Sequence, residues 1–317
     1  MRVCFVSHDA GLGGASRALI ELVDALQSLG IRCQVVVPGK GPLLHELRQL
    51  GVGVSWLPCP WWAGQTAAPW DRLGRSAATL LMLAPFVARL ATLGCDVVYT
   101  NTITVPVGAM AAKLLRIPHV WHVHEFGYEH HRLRFDLGFQ GTAWCVDRLS
   151  AAVVAVSEAL AAKLRPLLSP AKLQVVYQSV TVRPDPQAEE AAWRDRAQSG
   201  RAFRAIVVGE VTEAKGQADA VRAIGELVRD GIDAELLLVG EVNRLYGPHL
   251  KRLVAELGLE GRVRFTGTVT NPYPLLRTAD VALMCSRYEG FGRVTVEAML
   301  AGKPVVGARS GATPELV

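Results

Sequence analysis

Short apolar runs alternate with longer stretches of mixed character along most of the chain. The unbroken apolar runs predict buried strands, whereas stretches with apolar residues every three or four positions, as from Ala15 to Leu29, predict helices with one buried face. Strands are predicted near residues 2–7, 31–37, 51–57, 96–100, 119–122, 151–156, 173–177, 204–208, 235–239, 263–266, 279–284 and 304–307, and helices near 15–29, 73–93, 217–229, 249–257 and 294–301. This alternation predicts an α/β fold with parallel, helix-covered sheets.

The length of 317 residues indicates two domains of ordinary size. We predict an N-terminal domain over residues 1–182, a polar linker with a short helix over 183–203, and a C-terminal domain over 204–317. The sequence stops just where another helix is expected to begin, so we expect the C-terminal domain to be incomplete.

The composition narrows the class of partner. Hydrophobic residues make up 50% of the chain and charged residues 20%, which is typical of a globular protein. The net charge of +5 favours an anionic partner, such as a nucleotide or a phospholipid surface. Because no basic run is interleaved with aromatic residues, we do not expect nucleic acid to bind. The N-terminus lacks the apolar core of a signal peptide, which indicates a cytoplasmic protein.

The cysteines and histidines give no sign of a metal site. The 6 cysteines are widely spaced and form no CxxC pair, so we predict reduced thiols in the core. No histidine spacing is typical of zinc, and none of His122, His130 and His131 is a strong candidate ligand. The apolar run 76–88 is shorter than the ~20 residues that span a bilayer.

A glycine-rich turn at residues 8–16 follows the first predicted strand and opens the first helix. Such a turn binds phosphate through backbone N–H groups and the positive end of the helix. A nicotinamide dinucleotide is the competing ligand, but the usual glycine pattern would need glycine at Ser16. The second strand also ends without the acidic residue that would hold a ribose.

The stretch 285–304 has the same order of strand, glycine turn and helix. Gly290 and Gly292 open a tight loop, and the start of the following helix favours an anion. Two carboxylates frame this loop, Glu289 inside it and Glu297 in the helix. An ionised carboxylate is only an acceptor and suits sugar or ribose hydroxyls rather than phosphate. The simpler alternative is that both glutamates are solvated.

Glu289 and Glu297, with Gly290-Phe291-Gly292 after the first and Ala298-Met299 after the second, resemble the E-x7-E signature of retaining glycosyltransferases of family 4. The resemblance covers essentially the whole chain. It implies the GT-B architecture of two facing Rossmann-like domains. It also implies transfer of a sugar from a UDP-, GDP- or ADP-sugar donor to a glycan or lipid-linked acceptor, without a metal ion or other cofactor, in cell-envelope or exopolysaccharide synthesis.

The resemblance also implies roles for individual residues. His124 would line the acceptor side of the reacting sugar, Glu289 would orient the sugar hydroxyls and Glu297 the ribose. Lys215 and the helix start at Phe291–Arg293 would stabilise the departing diphosphate. The donor-binding positions carried over are Gly13, Gly14, Gly209, Lys215, Gly267, Val269, Glu289, Gly290, Phe291, Gly292, Arg293 and Glu297.

The chain departs from the family pattern at two places. Glu210 stands where the family usually has an arginine for the diphosphate, and Gln178-Ser179 stands where it usually has Asn-Gly. Glu210 therefore keeps open a second class of function, a nucleotide-sugar binder or scaffold without catalysis. A third class is an NAD-dependent oxidoreductase.

Tryptophans at positions 61, 62 and 70 precede the predicted helix 73–93, which is apolar with a few arginines. This combination is typical of a peripheral membrane contact, and our hypothesis is that the patch docks on a membrane to reach a lipid-borne acceptor. The alternative is ordinary packing of the helix on its own domain.

Overall fold

The computed structural model describes residues 1–66, 68–198, 200 and 202–317, with the side chains of His130 and His131 left out. The chain divides into two compact units, Met1–Ser179 and Val180–Val317. Each unit has its own parallel sheet, which confirms the predicted α/β fold class.

The first unit is built on a sheet of 7 parallel strands in the order β3-β2-β1-β5-β6-β8-β9. A short antiparallel ribbon, β4 with β7, is separate from this sheet. The strands are β1 (Arg2–Val6), β2 (Arg32–Val37), β3 (Gly53–Trp56), β4 (Ala63–Gly64), β5 (Val97–Asn101), β6 (His119–Val123), β7 (Arg134–Phe135), β8 (Ala152–Ala155) and β9 (Leu173–Val175). The strands predicted for this unit are thus confirmed, with small changes at their ends.

Helices cover both faces of this sheet. They are α1 (Gly14–Ser28), α2 (Pro42–Gln49), α3 (Pro69–Leu93), α4 (Val107–Leu115), α5 (Tyr128–His131), α6 (Gly138–Leu149) and α7 (Glu158–Leu164). One core packs Phe5 of β1 against Leu19 of α1, and the other packs Val98 of β5 against Phe86 of α3. Ser157 caps α7 as predicted, because its Oγ accepts the N–H of Leu160 over 3.2 Å.

Helix α3 has one buried and one exposed face. It starts at Pro69, earlier than predicted, and ends at Leu93, with Gly94 as its C-cap at the left-handed φ of 58°. Among the described residues, α3 is the one helix long and apolar enough to cross a membrane, judged by length and composition. That result corrects the expectation that the apolar run here is too short. Phe86 and Leu90 of α3 are fully buried in the core of the unit, so the helix lies on the domain with its opposite side exposed.

The second unit contains a sheet of 5 parallel strands in the order β12-β11-β10-β13-β14. The strands are β10 (Phe203–Val208), β11 (Ala234–Val239), β12 (Val263–Gly267), β13 (Val281–Met284) and β14 (Val305–Gly307). The helices are α8 (Pro186–Gln198), α9 (Gln217–Arg229), α10 (Gly247–Glu256), α11 (Tyr273–Thr278), α12 (Arg293–Leu300) and α13 (Thr313–Leu316). All five predicted strands and the three predicted helices are confirmed.

Helix α8 lies within the stretch predicted as a linker, and the structure groups it with the second unit. The reason is an ionic network around Arg204, whose side chain is fully buried in β10. Its Nε donates to Glu235 over 2.5 Å, and its Nη1 lies 3.4 Å from Asp195 of α8. Arg264 also binds Asp195, which lowers the pKa of that carboxyl. This network fastens α8 to the sheet.

Candidate functional site

In the first unit, the candidate site lies where strands β5 and β6 end. Asn101 is the last residue of β5, and His124 follows β6 directly. Both are buried. His124 Nε2 lies 2.8 Å from Asn101 Oδ1, and His124 Nδ1 lies 2.8 Å from Gln178 Nε2. A predicted residue is therefore held between two that the sequence analysis did not select.

The hydrogen bonds assign the tautomer of His124. Asn101 Nδ2 donates to the carbonyl of Ala15 in α1 over 3.0 Å, which turns Asn101 Oδ1 toward the imidazole. An oxygen only accepts, so His124 Nε2 carries the proton. The neutral ring then accepts at Nδ1 from the Gln178 amide. The Gln178 Oε1 atom is buried and has no hydrogen-bond partner among the described residues.

Glu125 fixes the backbone beside His124. Its carboxylate accepts the N–H of Ile103 and the N–H of His124, each over 3.1 Å. Burial raises the pKa of Glu125 to about 7, although these bonds act in the opposite direction. The centre of the His122 ring lies 4.0 Å from the centre of the His124 ring, and burial lowers the pKa of His122 to about 4. His122 is therefore neutral at physiological pH.

The glycine-rich turn of the first unit is shaped by Asp9. Its Oδ1 accepts the N–H of Gly11 over 3.2 Å and the hydroxyl of Ser16 over 2.9 Å. Ser16, the position where a dinucleotide pattern would need glycine, is buried and serves this bond. Gly13 caps α1 and, like Gly14, is exposed, and a methyl group at Gly13 would meet no atom within 4 Å. The open space leaves the start of α1 accessible.

In the second unit, the structure brings together two predicted residues that are distant in sequence. Lys215 follows β10, and Glu289 follows β13. Lys215 Nζ donates to Glu289 Oε2 over 2.9 Å. The Glu289 side chain is 11% exposed and that of Lys215 25% exposed, so the pair is shielded from water but still reachable. One cation and one carboxylate stand side by side at the carboxyl end of the sheet, where open α/β folds bind ligands.

Two close backbone approaches explain the glycines near this pair. A Cβ atom on Gly216, which has a φ of +68°, would lie 2.2 Å from the carbonyl oxygen of Cys285. A Cβ atom on Gly240 would lie 2.1 Å from the carbonyl oxygen of Gly209. The Gly240 N–H also donates to the carbonyl of Gly267 over 2.9 Å. The turns at Gly209 and Gly267 thus both contact Gly240, and Val269 is partly buried against the core that contains Val239 and Leu276.

The loop after β13 leads directly into α12. Gly292 has a φ of +93° and is the N-terminal cap of α12, which begins at Arg293. Gly290 and Phe291 are buried, and the Glu289 carbonyl accepts the N–H of Ala312 over 2.9 Å. The loop is therefore fixed, and the positive end of the α12 dipole lies directly after it.

Glu297 lies inside α12 and is partly buried. Asn101 could have been found from sequence by the rule that selected His124, since both end a parallel strand. Gln178 was visible only as a departure from a family pattern, and nothing in the sequence marks Glu125 as more than a neighbour of His124. Within the described part of the chain, no cluster of three or more histidine, cysteine or acidic residues could hold a metal ion.

Profiles of two families match the chain. The one described as "Glycosyltransferase Family 4" matches residues 12–183, and the one described as "Glycosyl transferases group 1" matches residues 202–317. Together they span both structural units.

Curated relatives match part of the chain. The lipopolysaccharide core biosynthesis glycosyltransferase LpsD of Rhizobium meliloti is 34% identical over 50% of this chain and 43% of its own length. The N-acetyl-alpha-D-glucosaminyl L-malate synthase of Bacillus anthracis is 32% identical over 52% of this chain and 43% of its own length. These alignments therefore span less than half the length of either relative.

Among solved structures, HepE of Anabaena in complex with UDP and glucose superposes with a TM-score of 0.81. It is 26% identical, and the match covers 100% of this chain and 83% of HepE. The lipopolysaccharide glycosyltransferase WaaG gives a TM-score of 0.67 at 16% identity over 99% of this chain and 83% of WaaG, which shows likeness of fold alone.

Proposed function

The chain belongs to glycosyltransferase family 4, and from this membership we propose that it transfers a sugar from a nucleoside diphosphate donor to an acceptor hydroxyl, with retention at the anomeric carbon. The observation that carries the proposal is the contact of Lys215 with Glu289. An ammonium group attracts a diphosphate, and a carboxylate accepts sugar hydroxyls. A nucleotide sugar carries a diphosphate next to a sugar ring, so its diphosphate suits Lys215 and its sugar hydroxyls suit Glu289.

In the proposed reaction, the bond between the anomeric carbon and the diphosphate oxygen breaks while the acceptor oxygen bonds to that carbon on the same face. The acceptor proton passes to the departing diphosphate. Lys215 and the start of α12 at Phe291–Arg293 stabilise the leaving charge, so the proposed mechanism requires no metal ion. Lys215 and the helix start would act electrostatically, as positive groups that are in place before negative charge develops on the departing diphosphate.

The remaining residues are assigned to binding. Glu289 orients the sugar hydroxyls, and Glu297 holds the ribose. Backbone groups at Gly267 and Val269 hold the base, and the turn at 13–14 approaches the diphosphate. His124 lines the acceptor side of the reacting sugar. UDP is the first nucleoside diphosphate to test, since the structural relative HepE was solved with UDP and glucose. GDP and ADP are the other two candidates.

Thermal unfolding in the presence of nucleotides tests this proposal. We expect UDP, GDP or ADP to raise the Tm, and NAD to leave it unchanged. Lys215→Gln and Glu297→Ala should abolish the rise. Lys251→Gln, which removes an exposed cation from α10 in the same unit, is the matched control and should keep the rise. No rise with any nucleoside diphosphate would contradict the proposal, and a rise with NAD alone would favour the oxidoreductase.

Glu210 favours a second candidate, a nucleotide-sugar binder without catalysis. Its side chain is exposed next to the Lys215 turn and places negative charge where the family usually has arginine. A nucleoside diphosphate that raises the Tm, together with no sugar transfer to any acceptor and no donor hydrolysis, would support this candidate over the enzyme.

We further propose that the protein acts at the cytoplasmic face of a membrane on a glycan or lipid-linked acceptor in cell-envelope or exopolysaccharide synthesis. The exposed side of α3 supports a membrane contact: Trp70 is 81% exposed, Leu80 62% and Leu81 76%. No charged residue stands between Arg75 and Arg89 in this helix. An apolar stripe bounded by tryptophan and arginine, on a chain of net charge +5, suits an anionic phospholipid surface.

A further inference from the structure

The carboxyl end of the second sheet carries less positive charge than the proposed donor requires. The ammonium of Lys215 is already paired with Glu289, whose carboxylate lies 2.9 Å away. Glu210 adds an exposed negative charge after β10, and the charge of Arg293 at the start of α12 offsets only that one. The diphosphate of a nucleotide sugar carries more than one negative charge, so this end of the sheet needs a further cation to bind it.

Many arginines of the second unit are already engaged in ion pairs with acidic side chains: Arg194, Arg196, Arg204, Arg222, Arg229, Arg262, Arg264 and Arg277. Arg244, Arg252, Arg287 and Arg309 are exposed and form no ion pair with any residue that the structure describes. Their charges are therefore available to a ligand, and their places in the fold distinguish them.

Arg287 lies beside the turn that carries Lys215. Its backbone N–H donates to the carbonyl of Ala214, the residue before Lys215, over 3.2 Å. Two residues further along, the Glu289 side chain contacts Lys215 itself. The loop after β13 therefore runs alongside the Lys215 turn, and the exposed side chain of Arg287 belongs to the stretch that makes these contacts.

The loop that carries Arg287 is also held from its other side. Ser286 is buried, and its carbonyl accepts the hydroxyl of Ser310 over 3.2 Å. Gly311, with a φ of +55°, passes so close that a Cβ atom there would lie 2.5 Å from the backbone nitrogen of Glu289. The backbone on both sides of Arg287 is thus fixed, while its side chain stays exposed to a ligand.

The order of the strands selects Arg287 among the available arginines. β11 and β13 lie on opposite sides of β10. Arg244 follows β11, and Arg309 follows β14, which β13 separates from β10. Arg287 follows β13 and so stands on the same side of β10 as the start of α12. We propose that Arg287 binds the donor diphosphate together with Lys215 and supplies the positive charge that Glu210 does not, an inference that rests on the proposed function.

The chemistry of arginine suits this role. Its guanidinium stays charged at any physiological pH and presents two parallel N–H groups to the oxygens of a phosphate. Lys215 adds a second, compact charge that is 25% exposed. Because Arg287 is exposed, its attraction for the diphosphate is screened by salt and should weaken as the ionic strength rises.

Isothermal titration calorimetry on the full chain tests the inference, with inorganic pyrophosphate and with UDP, GDP and ADP as probes. We expect pyrophosphate and at least one nucleoside diphosphate to bind the wild type. Arg287→Gln should raise the Kd of both about tenfold, the effect of losing one charge-assisted hydrogen bond, and Arg287→Lys should recover part of the affinity. Arg287 is exposed, so its loss should not impair folding, which an unchanged Tm verifies.

Arg252→Gln is the matched control, because it removes an exposed arginine from α10 and changes the net charge equally. It should bind both kinds of probe as the wild type does. The inference is overturned if pyrophosphate fails to bind the wild type, or if either kind of probe binds Arg287→Gln and Arg252→Gln equally. Pyrophosphate binding that depends on Arg287, with no Tm rise from any nucleoside diphosphate, would contradict the proposed enzyme and support a diphosphate site at Arg287.

Discussion

Gln178 donates from Nε2 to Nδ1 of His124 over 2.8 Å and so holds the neutral imidazole against Asn101 on its other side. Gln178→Leu removes this donor and frees the ring to rotate and change tautomer. We expect kcat to fall about tenfold, in line with the loss of one buried hydrogen bond, while the KM for the donor changes little. Gln178→Asn should recover less activity than wild type, because its side chain is one methylene shorter.

The control for this prediction is Gln174→Leu, the same change at an exposed position of β9. Nitrogen-15 NMR of the imidazole gives an independent measurement, since His124 Nδ1 should resonate as an unprotonated nitrogen in the wild type. A protonated Nδ1, or equal activity in the two leucine variants, would show that Gln178 does not set the tautomer.

The positions of the strand ends could be predicted from the sequence, whereas the side-chain contacts between residues at those ends could not. His124 was selected because a parallel strand ends beside it, but its bonds to Asn101 and Gln178 join residues from three separate elements. The sequence singles out Glu289 in its glycine loop, and the resemblance adds Lys215, but only the fold shows that their side chains meet.

The helices that escaped prediction have physical reasons. α4 is apolar apart from Lys113, so its sequence shows no polar face, even though Lys113 and Leu114 are exposed. The predicted start of α3, at residue 73, is later than the observed start because the first turn of the helix lies in a stretch rich in tryptophan and proline. Pro69 itself is a helix-start signal, since its fixed φ suits the first helical position.

Glu210 is predicted to weaken donor binding. Glu210→Arg replaces an exposed negative charge with the residue usual in the family, next to the turn that holds Lys215. We expect the Kd for the bound nucleoside diphosphate to fall roughly three- to tenfold, a gain that shrinks as salt is raised. Glu226→Arg makes the same charge change on exposed α9 and should have little effect. An equal gain in both variants would mean that net charge alone is responsible.

Glu125 is predicted to make the first unit less stable at high pH. Burial raises its folded pKa to about 7, above the value of 4.5 of an unperturbed glutamate. The stabilising effect of the protonated form is therefore complete below about pH 4.5 and is lost as the pH rises through about 7. The loss is on the order of 3 kcal/mol in the free energy of unfolding.

Urea unfolding at pH 5 and pH 8, followed by tryptophan fluorescence, measures this loss in the wild type and in Glu125→Gln. The glutamine is neutral at both pH values, so the wild type should lose stability relative to the variant between pH 5 and pH 8. The buried His119 and His122 have lowered pKa values and push stability the other way, but they are common to both proteins and cancel. If the free energy of unfolding changes equally in the wild type and in Glu125→Gln between pH 5 and pH 8, the raised pKa of Glu125 is refuted.

The exposed side of α3 is predicted to bind anionic membranes. Leu80→Ser/Leu81→Ser removes two side chains that are 62% and 76% exposed, so the change should cost little folding stability. With each leucine worth roughly 1–2 kcal/mol of apolar burial at such exposure, we expect binding to vesicles of phosphatidylcholine and phosphatidylglycerol to weaken at least tenfold. Leu245→Ser, at a position 92% exposed in the second unit, should bind as the wild type does. A wild type that fails to sediment with these vesicles, or a double variant that sediments equally well, would exclude α3 as the docking surface, and its apolar side would then need another occupant.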